Sequence, residues 1–140
     1  MPTVETRHGA AQALVSASQT VVTQTIGRPA STPYLGVTPQ LPGVLNAVSF
    51  DDGGASVAYY DRSSGNAGGA FRTGDVDIEQ SSEGGYNIGW TSAGEWLRYN
   101  VNVAVRGTYR LHMRVASAGR GGTLHLESDG VDLTGPLPVP

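Results

Sequence analysis

The chain contains no cysteine, which removes disulfides, thiolate nucleophiles and cysteine–zinc sites together. It contains no lysine either. All nine basic residues are arginines, and twelve acidic residues leave a formal net charge of -3. A balance of that sign argues against a nucleic-acid partner. No apolar run approaches the roughly 18 residues that span a bilayer, so no membrane partner is expected. Residues 1–25 show neither the basic start nor the longer apolar stretch of a signal peptide. Charged residues make up only 15% and hydrophobic residues 39%, which is sparse for a tightly built globule.

Glycine is abundant, at 20 residues, and is joined by 8 prolines, so turns are frequent. Residues 27–43, GRPASTPYLGVTPQLPG, carry Pro29, Pro33, Pro39 and Pro42. Each proline removes a backbone donor and biases the residue before it away from helix. This composition predicts an extended linker, so residues 1–43 read as an irregular tail plus a Pro-rich linker, with the domain beginning near Val44.

Beyond Val44 the chain reads as short strands between turn clusters, with no convincing helical period. RSSGNAGG at 62–69 reads only as a loop. Asp75, Asp77 and Glu79 alternate with apolar positions. Asp129-Gly130 is a strong hairpin signal, with 131–133 as the return strand. The most informative stretch is GGYNIGWTSAGEWLRYNVNV at 84–103, which holds both tryptophans, Trp90 and Trp96. Its second half alternates: Leu97, Tyr99, Val101 and Val103 on one side, Trp96, Arg98, Asn100 and Asn102 on the other. That is a strand with one buried face, and parity puts Trp96 on the polar side. Its glycine-rich first half carries Tyr86, Asn87 and Trp90 into a loop or bend.

Short strands at this spacing predict an all-β fold, a sandwich or barrel. Only about five or six strands are visible after Val44, against roughly eight in a full jelly roll. The module is therefore expected to be incomplete. Leu97, Tyr99, Val101, Leu111, Met113, Leu124 and Leu126 are expected to be under-covered.

With these motifs in view, residues 50–140 resemble a family 6 carbohydrate-binding module, most specifically in GGYNIGWTSAGEWLRYNVNV, GTYRLHMRVAS and GGTLHLESDGV. The resemblance implies a jelly-roll β-sandwich of the galactose-binding type, here truncated and spanning 44–140. It implies a non-catalytic, extracellular module that binds polysaccharide or oligosaccharide and is joined to a polysaccharide-degrading enzyme, with a catalytic domain upstream. It makes Trp90, which follows Asn87-Ile88-Gly89, one aromatic wall of the main cleft, and Glu79 a carboxylate that binds sugar hydroxyls. A second aromatic wall and an amide would come from a part beyond Gly135 that this chain lacks. Trp96 matches the aromatic of a second cleft on the sheet face. A structural calcium of the family uses a Glu-Ala-Glu pattern. Here the pattern reads Asn46-Ala47-Val48, so neither that metal nor any other cofactor is expected.

The chemistry stands beside the resemblance. An indole covers the apolar C–H face of a sugar ring, and charged acceptors make the stronger bonds to its hydroxyls. Glu79, Tyr86, Asn87 and Trp90 are therefore the candidate carbohydrate-binding residues, with Trp96 on a second face. Two alternatives remain: a structural β-sandwich without binding, and part of a glycoside hydrolase. For the latter, Asp77 and Glu79 would share a strand face about 7 Å apart. Alternating acids on a short strand are more often a solvated face. No G-x-S-x-G elbow is present, and His8, His112 and His125 lack a third ligand for zinc.

Overall fold

The computed structural model describes residues 30–140 and, before them, two strands, β1 (Thr3–Thr6) and β2 (Ala13–Ala17). The described chain is all-β, with two single-turn 3₁₀ segments at Tyr34–Gly36 and Ala47–Ser49. The strands are short and form small, irregular sheets: β3 (Gln40–Leu41), β4 (Tyr59–Tyr60), β5 (Ile78–Gln80), β6 (Tyr86–Ile88), β7 (Trp96–Val103), β8 (Arg110–Met113), β9 (Gly122–Leu124), β10 (Glu127–Ser128), β11 (Val131–Asp132) and β12 (Leu137–Val139).

β7 is the organising element. Its alternation holds as expected: Leu97, Tyr99 and Val101 are buried, while Trp96, Arg98 and Asn100 are partly exposed. The apolar face meets Leu41, Leu45, Val48, Phe50, Ala58 and Tyr59 in one core with Val76, Ile78 and Ile88. Tyr99 is 1% exposed, and its hydroxyl donates to the Ala47 carbonyl at 2.7 Å. Burial pushes that hydroxyl's pKa well above the ordinary tyrosine value.

One edge of β7 pairs in parallel with β2, Ala13 opposite Leu97. The other edge has four successive N–H donors to satisfy. Arg98 N donates to the Ala58 carbonyl at 2.9 Å, Asn102 N to the Pro39 carbonyl at 2.8 Å and Ala104 N to the Leu41 carbonyl at 3.0 Å. Between them no backbone acceptor among the described residues is in place, and Asn100 N donates instead to the Asp51 carboxylate at 2.8 Å. The same carboxylate accepts from the Ser31 hydroxyl and from the Asn100 amide, each at 2.6 Å. Asp51 is thus a side-chain patch in a strand ladder, which accounts for its 2% exposure.

This edge corrects the expected boundary. The Pro-rich segment from Ala30 to Gly43 is not a detached linker. Ser31 and Leu41 are buried, Gln40–Leu41 pairs with β7, and Thr32 bridges Asp52. The packed body therefore begins before Val44. The tail expected to be irregular also contains strands, and β1 runs parallel to β8. The burial forecast changes as well. Leu97, Tyr99, Val101, Leu124 and Leu126 are all buried, and only Leu111 and Met113 stay partly exposed. The hairpin at Asp129-Gly130 forms as expected between β10 and β11, with φ of 52° and 79° at the two turn residues, the left-handed pair that a tight hairpin needs.

Candidate functional site

β5 and β6 form an antiparallel ribbon in which Ile78 faces Ile88 and Glu79 faces Asn87. The two isoleucines point into the core. By strand alternation Glu79 and Asn87 occupy the opposite face, where the Asn87 amide donates to the Glu79 carboxylate at 3.0 Å. Gly89 N extends the ribbon by donating to the Asp77 carbonyl at 2.9 Å. The chain then turns sharply, and Trp90 sits at φ 47° with 58% of its surface exposed. A bulky residue in the left-handed region is strained, at a cost of order 1–3 kcal/mol, and persists only where its surroundings over-determine it.

Those surroundings are the loop at 62–69. Its centre is Asn66, whose amide oxygen accepts from Gly69 N at 2.9 Å and Ile78 N at 2.8 Å. Its amide nitrogen donates to the Ala70 and Arg72 carbonyls at 2.9 and 3.0 Å. Gly68 is required because a Cβ there would overlap the Ile78 carbonyl. Two carboxylates hold the rest of the backbone: Asp77 accepts from Ala67 N at 2.6 Å, and Asp75 from Gly65 N at 3.0 Å. On the far side Glu95, 7% exposed, accepts from Arg62 N at 3.0 Å and Ser92 N at 2.7 Å.

Between these loops lies an open groove of about 430 Å³. Residues 63–67 form one wall, Ser92 and Glu95 another, and Asp77 and Trp90 line it as well. It combines an exposed indole with carboxylate and hydroxyl groups, which is what a polyhydroxylated ring with apolar C–H faces requires.

The structure brings some of the expected residues together and separates others. Trp90 lines the groove; Glu79 and Asn87 lie on the same ribbon face as Asp77 but are not among the residues that line it. Tyr86 falls on the other face, its ring 4.9 Å from Phe71, which in turn lies 5.7 Å from Tyr34. It belongs to an aromatic cluster apart from Glu79 and Asn87. Trp96 points away from the core, paired across the ladder with Tyr60, and the Arg98 guanidinium lies 5.4 Å from its ring. Sequence reasoning weighed Asp77 only as a hydrolase carboxylate or part of a solvated face, and missed Glu95, the loop at 62–69 and Tyr60. The signal for the first three was there: a run of glycine and serine leaves backbone N–H groups that need acceptors, and short acidic side chains supply them.

The position of the family's calcium does not fit a cation. The Asn46 oxygen accepts from Val48 N at 3.4 Å, and Val48 is 0% exposed in the core. Neither offers a carboxylate.

Compared with known proteins, the chain matches the family described as carbohydrate binding module (family 6) over residues 67–140, a span that holds both tryptophans, Glu79 and most of the groove. No curated protein matches it.

Proposed function

The chain belongs to the family 6 carbohydrate-binding modules and binds carbohydrate as they do; from that premise we propose that the groove beside Trp90 is its glycan-binding site. One observation carries the proposal: Trp90 is 58% exposed on a left-handed backbone, beside a groove with carboxylates in its wall. Burial would normally claim so large an apolar side chain. Here the backbone is strained to keep it outside.

In this reading the indole stacks on a sugar ring, while Glu79 and Asn87 take hydroxyls of the neighbouring unit. The ligand is a polysaccharide or oligosaccharide, met outside the cell. The module does no chemistry of its own and targets an attached glycan-degrading enzyme to its substrate. Trp96 and Tyr60 form a second, shallower contact face on the polar side of β7, supported by their cross-strand pairing.

Affinity electrophoresis of the chain in gels containing soluble neutral polysaccharides, run beside a reducing-sugar assay, tests this. Retardation on at least one polysaccharide without sugar release is expected. Free migration through every gel would leave a non-binding scaffold, and released reducing ends would make it a hydrolase.

A further inference from the structure

Asp77 is 3% exposed, yet it lines the groove. One of its oxygens, Oδ1, accepts from Ala67 N at 2.6 Å. No hydrogen bond among the described residues reaches the other. No fully buried side-chain oxygen among the described residues lacks a partner, so this one opens onto the groove, where a ligand hydroxyl can donate to it. The Ser64 and Ser92 hydroxyls, on opposite walls, also carry no hydrogen bond among the described residues. The groove therefore presents one unpaired charged acceptor between two free hydroxyls, with an indole beside them.

Its charge is one-sided. Asp77 and Glu95 both line it, and among the described residues no arginine or histidine does. The adjacent cation, Arg62, turns its guanidinium to the Ala93 carbonyl at 3.3 Å. A uronate or sulfate group entering here would face two carboxylates with no cation to compensate, and like charges in a partly desolvated site repel strongly.

We infer that Asp77 is a specificity-determining ligand residue: its free carboxylate oxygen accepts hydroxyl protons from the sugar seated on Trp90, and it restricts the site to neutral glycans. The inference rests on the glycan-binding reading of the groove. Glu79, two residues along the same face, then meets the next unit of the chain. Asp77 also fixes the wall through Ala67, so the pocket and its acceptor are set by one side chain.

The test uses the whole chain and three gels, containing a neutral β-glucan or xylan, polygalacturonate and a sulfated galactan. Asp77→Asn keeps an oxygen for Ala67 N and replaces the free acceptor by a donor. It is expected to weaken retention on the neutral polysaccharide about ten- to hundredfold, with an unchanged melting profile. The unaltered chain is expected to be retained by the neutral gel and to pass the two anionic ones, at low salt as at high. Wild-type retention by Asp77→Asn, or equal retention of the unaltered chain on anionic gels, overturns the inference. If Asp77→Asn fails to fold, the comparison of neutral and anionic gels decides alone. Trp90→Ala separates the two levels. Loss of binding in Trp90→Ala with none in Asp77→Asn defeats only the role of Asp77. Binding unchanged in both defeats the groove as the site.

Discussion

β7 and the loops around Trp90 are built on opposite principles. In β7 every level agrees: branched and aromatic residues alternate with polar ones, the apolar side is buried, and the N–H donors of its outer edge are satisfied. At Trp90 the levels conflict. A large apolar side chain is exposed, its backbone is left-handed, and acidic side chains are buried beneath it. Natural sequences are locally consistent where they only need to fold, and depart from consistency where they bind. On the proposed reading, the strand carries stability and the loops carry recognition.

The contrast breaks if the two regions respond alike to truncation. The largest effect is expected at Tyr99. Replacing it by alanine opens a cavity in the core and removes the bond to Ala47, and should cost about 3–5 kcal/mol in a denaturant titration. A loss below 1 kcal/mol would mean that β7 is not the core strand described here.

Asn66 joins the two regions, since its amide ties the loop at 62–69 to β5. Asn66→Ala leaves several partly buried backbone groups without partners. It is expected to lower stability by about 2–4 kcal/mol and to weaken glycan binding with it. Full stability with lost binding would show that the loop is ordered without Asn66.

Strain at Trp90 gives a smaller and more particular effect. Alanine there keeps the left-handed penalty, whereas glycine relieves it. Trp90→Gly should therefore be more stable than Trp90→Ala by about 0.5–1 kcal/mol in thermal melts, although both lose the indole. The reverse order would place the backbone of Trp90 in an ordinary region.

The smallest effect concerns pH. Burial pushes the Asp51 carboxyl upward from its ordinary value of 3.8, against hydrogen bonds from Ser31 and Asn100 that pull it down. A raised value in the folded state means the folded form holds the proton longer. The stability this contributes is present below 3.8 and is lost as pH rises through the raised value. The Asp51 carboxyl carbon, followed by NMR, should titrate above 3.8. A midpoint below it would mean that the hydrogen bonds outweigh burial.

Much of the fold was legible because period-2 alternation and the left-handed chemistry of Asp-Gly are local signals. The Pro-rich segment was misread because composition describes donors and says nothing of acceptors. Proline cannot donate, but the Pro39 and Leu41 carbonyls accept from β7, so a proline-rich segment can still pair along a sheet edge. The site was half legible. Trp90 stood out by residue type and by the glycine before it. Tyr86 was grouped with Asn87 although adjacent strand residues face opposite ways. Asp77 looked like part of a solvated acidic face, and only the loop folded over it reveals that it is buried.

The central claim is that Trp90 is kept outside for a ligand. Trp90→Ala, assayed for polysaccharide binding and thermal unfolding in the same preparation, tests it most directly. Binding should weaken by about 1–3 kcal/mol, as for an aromatic hot spot, with the melting transition in place. Undiminished binding, or a collapsed melting transition, would contradict it.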